Sequence, residues 1–127
     1  MPTFRIEHLD DEKLLDAWPI VRSAGAEPLP DWWENEALEL MRRGGGVLAA
    51  RAPDGSIHGV ATYECLRRSA CGPVLAVGRL VSFELNRRQP VRKALCDALQ
   101  AIAAAFCCSA VVPPVRATRG GQHFRAG

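Results

Sequence analysis

Glu84, Arg87, Arg88, Arg92 and Lys93 fall within ten residues around Pro90, and these are side chains that can hold an anion or move a proton. The residues after Pro90 are strongly periodic. Val91, Leu95, Ala98, Leu99, Ile102 and Phe106 recur at spacings of three and four, with alanines between them, which predicts a helix. Pro90 suits its first position, where a missing N–H is harmless and φ is already set. On the N-terminal side of the cluster, Val74 to Leu85 reads as a long strand with a bulge or bend near Gly78. A helix N-terminus offers unpaired N–H donors and a partial positive charge. Surrounded by Arg87, Arg88, Arg92 and Lys93, it is an anion site suited to phosphate. Glu84 is a candidate general base, one of only two carboxylates in the basic half of the chain; the plainer alternative is a salt bridge to a neighbouring arginine.

The rest of the composition limits what such a site can belong to. The chain has 127 residues, 48% of them hydrophobic, enough for one domain with one core. A single domain over residues 1–117 and a flexible Gly- and Arg-rich tail over 118–127 are expected. No apolar run is long enough to span a bilayer and the polar start is no signal peptide, so a cytoplasmic protein without membrane association is expected. Net charge is +2 but unevenly spread: residues 1–64 carry six basic and twelve acidic side chains, residues 65–127 ten basic and two acidic. This polarity suits an anion on the C-terminal half and a cationic amine on the N-terminal half, the plainer alternative being a polarised surface without function. Nucleic acid is not expected, since the arginines are not interleaved with aromatics. Cys65, Cys96, Cys107 and Cys108 lie in or beside apolar elements, and Cys71 lies in a loop beside Gly72. No Cys-x-x-Cys pair exists and His8, His58 and His123 are scattered, which favours reduced structural cysteines over a metal or redox site.

The elements that must position the site are legible in the pattern. Phe4 to Leu9 alternates as an opening strand. Asp10 or Asp11 can cap a helix from about Glu12, kinked or divided at Pro19 and ended by Gly25. Ala26 to Pro30 is a turn, and Asp31-Trp-Trp-Glu34 reads as a capping box for a second helix burying Trp33, Ala37, Leu40 and Met41. Trp18 and Trp33 fall at core spacing, whereas Trp32 must face elsewhere and can line a rim or cleft. Val47 to Arg51 and Ile57 to Glu64 are strands joined at Asp54-Gly55. Ser109 to Val115 is a short fifth strand.

As a continuous run, Asn86 to Leu99 resembles the acetyl-CoA pyrophosphate loop of GNAT-type N-acetyltransferases, matching at Arg87, Val91, Lys93, Ala94, Leu95, Ala98 and Leu99. Pro90 and Arg92 stand where that family has glycines, so the backbone cannot approach a pyrophosphate as closely and one N–H donor is absent. The element order β-α-α-β-β-β-α-β is also that of the family through its fifth strand. The fold implied is of the α/β (α+β) class, a mixed, mostly antiparallel sheet of about five strands flanked by helices. The family's last helix and final two strands have no counterpart, which implies a C-terminally truncated relative or one completed by a second copy; a homodimer covering the fifth strand is expected.

The resemblance implies an acyl-CoA-dependent N-acyltransferase that takes acetyl-CoA or another acyl-CoA as co-substrate, needs no metal, and acts on an unidentified amine. It implies that Leu80, Val81 and Ser82 bind pantetheine and polarise the thioester carbonyl. Arg87, Arg88, Gln89, Val91, Arg92 and Lys93 would hold the phosphates. Glu84, or else Glu64, would take the amine's proton. A catalytically silent module that binds acyl-CoA or a protein partner stays open beside this reading. So does an acyl-homoserine-lactone synthase relative, whose Phe-Glu-x-x-Arg-like run resembles Phe83 to Arg87.

Overall fold

Five strands lie side by side in chain order, so each strand's sheet neighbours are also its neighbours in sequence. They belong to a computed structural model that describes residues 4–24, 29–68 and 72–113. The expectations for Gly25, the start of the turn from Ala26, Cys71, His123 and the 118–127 tail lie outside the described residues. The strands are β1 (Arg5–His8), β2 (Gly46–Arg51), β3 (Ile57–Arg68), β4 (Gly72–Ser82) and β5 (Ala110–Val112). The first three pairings are antiparallel and β4–β5 is parallel. This is the mixed, mostly antiparallel sheet that the sequence implied. Its two faces are covered separately. Helices α1 (Trp18–Ala24) and α2 (Pro30–Arg42) cover one, and α3 (Pro90–Ala105) covers the other.

Pro19 divides the first helical segment as expected: a 3-10 turn over Leu14–Ala17 precedes α1. Asp10 does not cap a helix but accepts the Glu12 N–H at 3.1 Å in a local turn. The capping box is also corrected. Helix α2 begins at Pro30 with Leu29 as an uncapped N-cap, so Asp31 lies inside the first turn. Proline at N1 fixes the start one residue earlier than an Asp N-cap would. On α2 the buried residues are Trp33 and Ala37, with Leu38 and Met41 packed at their margin. On α3 the buried stripe is Val91, Leu95, Leu99 and Ala103, a strict i, i+4 row, while Phe106 lies past the last turn and is exposed. Strand β3 runs on to Arg68, beyond the expected Glu64, because β4 starts at Gly72 and pairs back along its length. Among the described residues, no helix is long and apolar enough to cross a membrane, and no group of three or more His, Cys, Asp or Glu could hold a metal.

Trp33 is the centre of the α1–α2 side. Its ring is fully buried with Leu14, Val21, Val47, Ala49 and Val60 in the same cluster. Its indole N–H donates to the Leu14 carbonyl at 2.8 Å, which gives a buried polar atom its partner and ties α2 to the 3-10 turn. Trp33→Ala leaves a cavity and orphans that carbonyl. A loss of about 3–5 kcal/mol is expected, read as a lower midpoint in urea unfolding at unchanged slope.

Candidate functional site

The first turn of α3 is where the cationic residues meet the helix dipole, and the chain itself has filled it with an anion. The Glu84 carboxylate accepts the Val91 N–H at 3.2 Å and the Arg92 N–H at 2.8 Å. Chain geometry makes this possible. Strand β4 ends at Ser82, and the Phe83 N–H still bonds the His58 carbonyl at 2.8 Å. Six residues later Gln89 takes a left-handed backbone, φ 51°, as N-cap without a side-chain cap bond. That turn swings the helix start back under Glu84. Asn86 tightens the loop by accepting the Arg88 N–H on its side chain at 2.8 Å and the Gln89 N–H on its carbonyl at 3.0 Å. The Lys93 N–H bonds the Gln89 carbonyl. Every N–H from Arg88 to Lys93 therefore has an acceptor within the chain, Pro90 having none to give.

Among the described residues Glu84 thus pairs with no arginine side chain, and its two oxygens are occupied by backbone donors. It caps a helix, which a carboxylate does well at the positive end of the dipole. The side chains of Arg87, Arg88, Arg92 and Lys93 are exposed around it, Lys93 lying 3.6 Å from Asp97 one turn on. Val91, expected among the phosphate contacts, is buried in the α3-side core, leaving only its N–H toward the loop.

The second half of the site is the end of β4. Pairing runs Tyr63↔Val77 and then Ala61↔Leu80, so Gly78 and Arg79 together oppose Thr62. This is the bulge expected near Gly78. The Arg79 N–H donates to Thr62 Oγ1 at 2.9 Å, and a Cβ on Gly78 would stand 2.8 Å from that same oxygen. Beyond the bulge, Leu80, Val81 and Ser82 pair on one side with Ala61, Val60 and Gly59. On the other side β5 pairs only with Val74, Leu75 and Ala76. Among the described residues, β4 past Ala76 has no strand on that edge.

Three residues that sequence reasoning did not assemble meet at the bulge. Arg79 donates to both oxygens of Glu36, Nε at 2.7 Å and Nη2 at 2.9 Å. Its guanidinium also lies 5.3 Å from the centre of the exposed Trp32 ring. Trp32 and Glu36 are one turn apart on α2, and that i, i+4 spacing was the only available signal. Glu64, the other base candidate, is held by Arg43 at 2.9 Å at the C-terminal end of α2. The lone tyrosine, Tyr63, lies across Gly46 and shares a 2.8 Å hydrogen bond with His8 Nε2; burial pushes its phenol above the ordinary range.

No protein-family model matches this chain, and no curated protein matches it. Solved structures do. An acetyltransferase of Trypanosoma brucei is 20% identical with a TM-score of 0.72, the match covering 98% of this chain and 99% of that one. A GNAT family acetyltransferase of Staphylococcus aureus is 12% identical at 0.75, covering 98% and 95%. An aminoglycoside N-acetyltransferase in complex with CoA is 16% identical at 0.76, covering 91% and 79%. These likenesses establish the fold alone, which this chain shares with those acetyltransferases.

If Thr62 Oγ1 holds the bulge, its removal has a defined cost. Thr62→Val keeps the volume but leaves the Arg79 N–H without an acceptor, and a loss of about 1–3 kcal/mol is expected in denaturant unfolding. Thr62→Ser keeps the oxygen and should lose well under half of that.

Proposed function

We propose that this chain binds an acyl-CoA along the open edge of β4 and transfers the acyl group to an amine. One observation carries the reading: the edge of β4 beyond Ala76, which no strand among the described residues covers, leads into a cationic helix N-terminus. A thioester arm laid against Leu80, Val81 and Ser82 would bring its diphosphate to Arg87, Arg88, Arg92 and Lys93, with Gln89 at the turn. A backbone N–H of β4 aimed at the thioester oxygen would stabilise the charge that develops there. The amine would approach from the α2 side of the bulge. Glu36 and Glu39 are already paired with Arg79 and Arg42, which leaves Asp31 and Glu34 as the acidic residues of α2 that suit a cationic acceptor. The CoA complex of a protein with this fold supports the reading.

Within it, Glu84 is the occupant that the diphosphate displaces. Its carboxylate holds the two N–H groups of the first α3 turn that point to the loop, so the anion must take its place. The exchange trades one pair of charge-assisted hydrogen bonds for another, and the four cations tip it toward the ligand. Committed to the helix, Glu84 is assigned here the part of a cap rather than of a base. The same contact favours a second reading, a module in which the cap is permanent and no thioester binds.

Calorimetric titration with CoA and acetyl-CoA separates the two. Binding weakened by salt is expected in the native protein, with affinity raised about tenfold in Glu84→Ala, the equivalent of roughly 1.4 kcal/mol. Arg87→Ala should lose about tenfold or more, whereas Arg51→Ala, whose guanidinium bonds Glu7 at 2.7 Å, should not. No heat with any variant at millimolar ligand leaves the silent module. A base role for Glu84 is excluded if Glu84→Gln retains thiol release from acetyl-CoA with mixed amines.

A further inference from the structure

The thiols of Cys65 and Cys108 lie 3.7 Å apart, sulfur to sulfur, although 43 residues separate them in the chain. The backbone places each of them. Cys65 stands on β3, opposite Leu75 of β4, with its thiol on the face that α3 covers. Cys108 is set by the end of α3. Phe106 is the C-cap, and Cys107 has a left-handed backbone, φ 58°. The Cys107 N–H bonds the Ala104 carbonyl at 3.1 Å and the Cys108 N–H bonds the Ala103 carbonyl at 2.8 Å. This is the paired Schellman arrangement, which turns the residue after the left-handed one back against the helix. The Cys108 side chain accordingly packs at the margin of the α3-side core. The Ser109 N–H then bonds the Pro73 carbonyl at 2.8 Å and fixes the chain beyond.

We propose that Cys65 and Cys108 form a reversible disulfide by exchange with a low-molecular-weight disulfide. Cys65 is exposed and reacts first. Its thiolate attacks one sulfur of the small disulfide, forming a mixed disulfide and releasing one small thiolate. The Cys108 thiolate then attacks the Cys65 sulfur, forming the protein disulfide and releasing the second. The two electrons lost by the protein sulfurs reduce the small disulfide, and the two protein thiol protons end on the two small thiols. Cys108 is half-buried, and burial raises its thiol, with the contact to Cys65 adding to this. It therefore serves as the resolving partner, and the neighbouring sulfur makes that second step intramolecular. Closing the pair from 3.7 Å to about 2.0 Å joins β3 to the root of β5 across β4.

The experiment uses the full chain with Cys71→Ser, so that a cysteine outside the described residues cannot exchange. The protein is equilibrated with reduced and oxidised glutathione at set ratios, quenched with acid, alkylated and mapped by peptide mass. The expected product is a monomeric species lighter by two hydrogens, with the Cys65 and Cys108 peptides joined. The melting temperature should rise on the order of 10 °C and return on reduction. The cross-link should survive Cys107→Ser and vanish in Cys65→Ser, and Cys108→Ser should trap glutathione on Cys65. The mass map of the parent protein alone decides the matter, whatever the variants' stability. Free thiols at the most oxidising ratio, glutathione adducts without a cross-link, or a cross-link through Cys107 would each overturn the proposal.

Discussion

The bulge at Gly78 and Arg79, where the Arg79 N–H is held by Thr62 Oγ1, sets the parity of every residue C-terminal to it on β4. Side chains alternate along a strand, so Val77, which faces α3, would place Arg79 on that same face if β4 ran without a bulge. A guanidinium would then enter the apolar cluster around Leu95 and Leu99. With two β4 residues opposite Thr62, Arg79 turns to α2 and finds Glu36, while Leu80 joins the α3-side core. Glu84, four residues beyond Leu80, inherits the same side and reaches the helix. One extra residue at the bulge thus decides which face receives the charge and on which side the carboxylate emerges.

The two ends of the site solve the same electrostatic problem in different ways. At the bulge a cation is held by a carboxylate from another element in a two-pronged contact. At α3 a carboxylate from the loop after β4 is held by backbone donors, and the arginines stay in solvent. The exposed arginines pull anions in from a distance that ionic strength controls, whereas the N–H pair acts only at contact. Long-range attraction and short-range fit therefore belong to different atoms here, and the fit is already satisfied from within.

The fold was largely legible because its signals are local. A Gly inside a strand pattern marked the bulge, Asp54-Gly55 marked a hairpin, and Pro19 marked a break, each through the backbone of the residue itself. Gly55 does take φ 91°, with the Asp54 carboxylate accepting from Ser56 on both its N–H and its hydroxyl. Boundaries were less legible where two local signals competed. At the start of α2, proline at N1 prevailed over the Asp31 capping pattern, and at the end of α3 the apolar Phe106 continued a period that the helix did not. The candidate site was legible as a cluster of residues but not as a set of contacts. Arg79 and Glu36 lie 43 residues apart, and no pattern within either segment joins them. Glu84 and the helix N-terminus are close in sequence, yet their contact depends on the left-handed turn at Gln89, which that side chain does not announce.

The strand order has a consequence for how the molecule comes together and apart. Strands β2, β3 and β4 form a meander of sequence neighbours, so their pairing closes short loops. The β5 pairing is different: the whole of α3 lies between Val74 and Ala110, and the ladder is three residues long. Long-range parallel pairing is slow to form, and a short ladder at a sheet edge opens at low cost. The seam between β4 and β5 is therefore expected to form later than the meander and to open more readily than it does. Backbone amides of Ala110–Val112 are accordingly expected to exchange faster than those of the meander, and the edge of β4 to be bounded by the more readily opened strand.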